Sequence, residues 1–133
     1  IEFIDPRVGK VKQLPLILSV DDSPIIQTMI KRALSSQFEV LQAGGALEAL
    51  NVLNQQGDRI SLLILDLTMP DIDGLELCRT IRSIPKFKHL PIIMLTARDG
   101  FFDKMKGHMA GSDRYLTKPF EAEKLLEIVQ EYV

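Results

Sequence analysis

The sequence predicts an α/β fold, an open doubly wound parallel sheet of five strands with helices on both faces. Three observations carry that prediction. Short apolar runs alternate with amphipathic stretches along most of the chain. Several of the runs are apolar nearly throughout, as in strands buried on both faces. The strand–helix alternation repeats at a spacing that suits parallel pairing through right-handed crossovers rather than hairpins.

The strands are LILSV (16–20), FEVLQA (38–43), LLILD (62–66), PIIMLT (91–96) and RYLTK (114–118). The second and fifth are shorter or more polar, as edge strands tend to be. Ser23 is a suitable N-cap and Pro24 suits the first helical position, with Ile25, Ile26, Met29, Ile30, Ala33 and Leu34 recurring at helical spacing. Ala46, Leu47, Leu50 and Leu53 predict a second helix. Leu75, Leu77, Cys78 and Ile81 predict a third, starting near Asp73-Gly74. A fourth, over about 101–109, is expected to be short or mobile, because Gly100, Gly107 and Gly111 bracket and interrupt it and an interior glycine disfavours helix by up to about 1 kcal/mol relative to Ala. Leu125, Leu126, Ile128 and Val129 mark the last helix. Residues 1–14 read as an N-terminal tail or linker, with Pro6, Gly9 and no clear period, and 15–133 as one domain. The chain begins without Met, as expected of an excised or processed piece.

Composition excludes little and narrows much. The chain has 133 residues, 46% hydrophobic, enough for one domain with a sizeable core. A net charge of −2 gives no basic field to draw nucleic acid. No apolar run approaches the roughly 18 residues of a membrane span, and the N-terminus has no secretory h-region. The lone Cys78 rules out an internal disulfide, suits a reducing compartment and is expected as a buried helix residue. Met94, Met105 and Met109 are expected in packing, at least one of Phe101 and Phe102 in the core, and His89 and His108 on the surface.

Open α/β sheets bind ligands beyond the carboxyl ends of their strands. Here the first strand ends in Asp21-Asp22, the third in Asp66, the fourth in Thr96 and the fifth in Lys118. Adjacent carboxylates repel, so a cation is implied. Oxygen donors without His or Cys favour a hard ion, Mg²⁺ or Mn²⁺. A cation, an ammonium and a hydroxyl together match what a transferring phosphoryl group needs around its oxygens, and Asp66, ending the most apolar strand, is the natural carboxylate nucleophile. The alternative, two solvated acids at the helix start where the dipole favours negative charge, explains Asp21 and Asp22 but not their companions.

The motifs VDDSP, LILDLTMPDIDGLEL, PIIMLTA and YLTKPF resemble the receiver domains of two-component response regulators, over about 15–133. The resemblance implies a flavodoxin-like (βα)5 sheet of strand order 2-1-3-4-5. It implies Asp66 as phosphoacceptor, Asp21, Asp22 and Asp66 with the backbone carbonyl of Thr68 as metal ligands, Thr96 and Lys118 as phosphoryl-binding groups, Thr96 and Tyr115 as switch residues, and a cis Lys118–Pro119 peptide. Thr68 and Arg98 occupy positions that tune phosphoryl lifetime in that family. Arg98 either reaches over the site or is a solvated charge.

The function so implied is that of a cytoplasmic switch. A sensor histidine kinase or phosphotransfer protein donates the phosphoryl group, and the fourth helix, fifth strand and fifth helix signal to an output domain or downstream protein. No direct nucleic-acid or membrane contact is expected, and a homodimer is compatible with the resemblance. The chemistry is at most phosphotransfer to itself and self-dephosphorylation, not metabolic catalysis. A Mg²⁺-dependent aspartyl phosphatase would need a second Asp where Thr68 stands. A receiver fold that no longer takes phosphate would be expected to lack one of the charged residues.

Overall fold

A computed structural model describes residues 2–5 and 10–133. The main sheet contains β3 (Leu16–Val20), β4 (Glu39–Ala43), β5 (Ile60–Leu65), β6 (Ile92–Thr96) and β7 (Arg114–Thr117), in the spatial order β4-β3-β5-β6-β7. Every pairing in it is parallel. This is the expected order 2-1-3-4-5, with the two more polar strands at the edges. Ahead of the sheet, β1 (Glu2–Asp5) and β2 (Lys10–Gln13) form a separate antiparallel ladder, which the sequence reading did not anticipate. The rest of that reading for residues 1 and 6–9 lies outside the described residues.

The connecting helices are α1 (Pro24–Leu34), α2 (Ala46–Gln56), α3 (Gly74–Ser83), α4 (Phe101–Ala110) and α5 (Ala122–Tyr132). Because side chains alternate along a strand, the buried strands feed two cores. Leu16, Leu18, Val20, Leu63, Leu65 and Met94 meet α2 and α3 through Ala46, Leu53, Leu77 and Cys78. Ile17, Leu62, Ile64, Ile93 and Leu95 meet α1 and α5 through Ile30, Leu34, Leu125 and Val129. Full burial of each such Leu or Ile contributes about 1.5–3 kcal/mol. None of the helices among the described residues is long and apolar enough to cross a membrane.

Helix starts follow the local chemistry. The Ser23 hydroxyl accepts from the Ile26 amide, with Pro24 in the first turn. Asp73 caps α3 by accepting from the Leu75 amide at 2.8 Å. The buried faces differ from the expected ones in two helices. On α1 the inward positions are Gln27, Ile30 and Leu34, whereas Ile25 is 73% and Met29 40% exposed. A polar Gln displaces apolar neighbours from the inner face because backbone carbonyls wait there for its amide.

On α4 the helix expected over about 101–109 is present over Phe101–Ala110. It runs ten residues, straight through Gly107. A Cβ on Gly107 would lie 2.9 Å from the Tyr115 ring and 3.0 Å from Met94 Sδ. The glycine therefore lets the helix approach the sheet, and packing outweighs propensity. Its inward positions are the small residues Gly107 and Ala110, so the large ones point outward. Met94 is buried as expected, but Phe101, Phe102, Met105 and Met109 are all exposed, against the expectation that the other two methionines pack and that at least one Phe is core. The two Phe rings meet edge to face, 5.6 Å apart. His89 and His108 are exposed and Cys78 is buried, as expected. Burial pushes the Cys78 thiol up to about 11.

At the end of the sheet remote from the acid pair, Arg82 ties several segments together. Its guanidinium donates to the carbonyls of Gly111, Phe87 and Leu90 and to the Asp113 carboxylate. The same Asp113 oxygen accepts from the Ile92 amide at the start of β6.

Candidate functional site

The carboxyl ends of the central strands deliver their polar residues to one edge. The Asp21 amide donates to the Ala43 carbonyl at 3.0 Å, and the Asp66 amide to the Val20 carbonyl at 3.0 Å, so the ladder continues one residue past each strand into the site. The Lys118 amide donates to the Thr96 carbonyl at 2.8 Å, and the Lys118–Pro119 peptide is cis. Asp21, Asp66 and Lys118 are thus carried by backbone that the sheet has already fixed.

Asp21, Asp22 and Asp66 offer carboxylate oxygens that all lie within 4.8 Å of one another. Asp21 and Asp66 are buried and Asp22 is exposed. Lys118 Nζ lies 2.6 Å from Asp21 Oδ2 and 3.5 Å from Asp66 Oδ2. A single ammonium among three carboxylates leaves net negative charge in a half-desolvated pocket. Burial raises Asp21 above the usual carboxylate range, although Lys118 and the Ser23 amide pull the other way. Carboxylate oxygens at this spacing, without nitrogen or sulfur donors, suit a hard divalent cation.

Thr96 is fully buried at the end of β6. Its hydroxyl accepts from the Arg98 amide at 3.4 Å. The Arg98 guanidinium reaches across the loop after β5, 3.2 Å from Thr68 Oγ1 and 3.4 Å from Asp73 Oδ2. Arg98 is therefore bonded to the loop beside the site rather than free in solvent. The Tyr115 hydroxyl donates to the Arg98 carbonyl. Burial, with Asp103 adding, pushes that hydroxyl up to about 12, so it stays a donor at neutral pH. The Thr68 amide donates to Asp66 Oδ1 at 3.3 Å, which orients the carboxylate from the loop side.

Two residues escaped the sequence reading. Gln27 is buried beneath Asp21 and bonds three backbone carbonyls around it. Asp71 accepts from the Ala46 and Leu47 amides, both at 3.1 Å, and so caps α2 from a distant loop. Those amides, Leu47 first, hold the Asp71 carboxyl below its usual range. The absence of a side chain at Gly45, the N-cap position of α2, was the available signal for a cap supplied from elsewhere.

Residues 17–130 match the family model of the response regulator receiver domain. The chain belongs to that family. Relatives of this receiver domain include the response regulator MprA of Mycobacterium leprae, 43% identical over 111 residues, which are 83% of this chain and 47% of MprA. The protein PilG of Pseudomonas aeruginosa is 36% identical over 121 residues, 88% of this chain and 86% of PilG. The chain thus spans about half the length of MprA but most of PilG. Among solved structures, the chemotaxis protein CheY4 of Vibrio cholerae superposes with a TM-score of 0.83 at 32% identity, covering 90% of this chain and 99% of that one. The fold and the family of signalling modules are therefore those the motifs implied.

Proposed function

We propose that residues 15–133 act as a phosphoryl-accepting switch, with 1–14 as a tail or linker. Asp66 is the acceptor, and Asp21, Asp22, Asp66 and the Thr68 carbonyl hold Mg²⁺ or Mn²⁺. The observation that carries this reading is the convergence of the three carboxylates within 4.8 Å of one another around Lys118. The donor set fits the ion, which when bound supplies positive charge to the equatorial oxygens of the transferring group.

The chain's own residues do the rest. An Asp66 carboxylate oxygen attacks phosphorus on a phosphohistidine of a partner kinase or phosphotransfer protein. A P–O bond forms as the P–N bond breaks, and the imidazole keeps the electron pair. Lys118 offsets charge on the transferred oxygens, and Thr96 donates a hydrogen bond to one of them. Reorientation of Thr96 is passed through Arg98 to Tyr115, whose hydroxyl now rests on the Arg98 carbonyl. This biases α4, β7 and α5, the face that meets an output domain or downstream protein, in the cytoplasm. Attack of water on phosphorus, with the Asp66 carboxylate leaving, resets the switch.

Intact mass after incubation with acetyl phosphate and Mg²⁺ tests the reading. The native chain gains one phosphoryl group in a Mg²⁺-dependent way, and Asp66→Asn gains none. A folded native chain that gains nothing, or an Asp66→Asn variant that gains the same mass, overturns it.

A further inference from the structure

Gln27 sits where α1 passes under the acid pair, 7% exposed, on a face whose other inward residues are Ile30 and Leu34. An apolar residue would extend that stripe. The chain instead buries an amide and satisfies all of it. Gln27 Nε2 donates to the carbonyls of Ser19 at 3.1 Å, Asp21 at 3.0 Å and Ala43 at 3.1 Å. Gln27 Oε1 accepts from the Ser19 hydroxyl at 2.7 Å. Ser19 is itself fully buried, on the α1 face of β3. The main-chain carbonyl of Gln27 accepts from Gln42 on the edge strand β4, at 2.9 Å. One side chain thus links the ends of β3 and β4 to the helix that crosses them.

The bonds converge on Asp21. Its amide donates to Ala43, its carbonyl accepts from Gln27, its Oδ1 accepts from the Ser23 amide at 2.9 Å, and its Oδ2 accepts from Lys118 at 2.6 Å. The carbonyl bond matters beyond Asp21. The peptide joining Asp21 to Asp22 is planar. Fixing the Asp21 carbonyl fixes that plane and with it the position of the Asp22 Cα, while the Ser23 amide, bonded to Asp21 Oδ1, holds the backbone on the other side of Asp22. Asp22 itself is exposed, and these bonds to the backbone on either side of it locate its carboxylate.

A neutral amide serves this environment from both ends, donating to the carbonyls and accepting from the Ser19 hydroxyl. A carboxylate would face the three carbonyl oxygens, and an apolar side chain would leave the Asp21 carbonyl short of a donor. We infer that Gln27, keyed by Ser19, is a positioning residue that sets the spacing of the Asp21–Asp22 carboxylates for a divalent cation. This rests on the metal-centre reading above. Groups that orient metal-binding carboxylates through hydrogen bonds typically change affinity by 10–100-fold when removed.

The test is a Mn²⁺ titration followed by electron paramagnetic resonance, paired with the Mg²⁺ dependence of phosphoryl incorporation from acetyl phosphate. Gln27→Met keeps length and loses the amide. Its Mn²⁺ half-saturation and Mg²⁺ half-saturation rise about tenfold, while incorporation at saturating Mg²⁺ matches the native chain. Leu53→Ala, a core truncation on the opposite face of the sheet, lowers the melting temperature and leaves both half-saturations unchanged. If Gln27→Met binds Mn²⁺ as the native chain does, or if Leu53→Ala weakens binding as much, Gln27 merely packs and the inference falls. Should Gln27→Met not fold, Ser19→Ala, which frees the amide to rotate, gives a smaller shift in the same direction; no shift there also overturns the role. A native chain that binds no Mn²⁺ removes the metal-centre reading itself, a result distinct from equal binding by native and variant.

Discussion

Asp66→Asn makes the metal-free protein more stable while sharply reducing its stabilisation by Mg²⁺. Asp66 repels Asp21 and Asp22, with oxygens within 4.8 Å, and attracts Lys118 at 3.5 Å. At an effective dielectric of about 20, each repulsion at that separation is about 3.5 kcal/mol and the attraction about 4.7 kcal/mol. Two repulsions against one attraction leave about 2 kcal/mol of net strain, and solvent around exposed Asp22 screens this to about 1 kcal/mol. Asparagine keeps the shape and still accepts from the Thr68 amide. For a domain of this size the gain corresponds to a melting temperature higher by about 4 °C. Mg²⁺ at a hundred times its dissociation constant adds about 2.7 kcal/mol to the native chain and far less to the variant. The two melting curves therefore exchange order between EDTA and saturating Mg²⁺. Differential scanning calorimetry in both conditions decides it. A variant that melts below the native chain in EDTA, or that gains as much from Mg²⁺, refutes the electrostatic argument.

Other perturbations separate the site from its scaffold. Arg82→Ala strips donors from the Gly111, Phe87 and Leu90 carbonyls and from Asp113, and destabilises by about 3 kcal/mol in urea unfolding with Mg²⁺ affinity unchanged. Asp71→Ala leaves the Ala46 and Leu47 amides without their acceptor, and hydrogen exchange by NMR at those two amides accelerates while the rest of α2 stays protected. The pH dependence has a definite sign. Asp21 is raised by burial, so the folded state holds its proton more tightly than the unfolded chain, and metal-free stability increases as pH falls from neutrality through the raised value. Asp71, and Glu39 beside Arg59, are lowered, so their contributions are lost at more acid pH. Urea midpoints in EDTA thus peak at mildly acid pH, and with Mg²⁺, which needs Asp21 deprotonated, the gain on acidification disappears.

The apolar runs were enough to place every strand of the main sheet, because doubly buried parallel strands can hardly be written in polar residues. The sites at their ends were legible for the same reason: Asp21, Asp22, Asp66, Thr96 and Lys118 each interrupt or end such a run. What was not legible depends on three-dimensional detail. Gln27 reads as a polar gap in an amphipathic helix, and only the carbonyls beneath it explain its burial. Asp71 caps a helix that begins 25 residues earlier in the chain, which no local capping pattern reveals. The outward Phe101, Phe102, Met105 and Met109 misled because a helix seated on glycine and alanine turns its large residues away from the sheet.

Gly107 also constrains how this protein can be engineered. Replacing helix glycines with alanine is a standard way to raise thermal tolerance, and α4 invites it. Here the added methyl would collide with the Tyr115 ring and Met94, pushing the helix off the strand that carries the aromatic. Improvement has to come from the helix's start. Gly100 has an ordinary backbone conformation and no side chain to cap the helix that follows, so Ser or Asn there offers an acceptor, with the Asp103 carboxylate, 3.1 Å from the new Cβ, swinging aside. A laboratory seeking a hardier version for a biosensor would leave Gly107 alone and rebuild the cap.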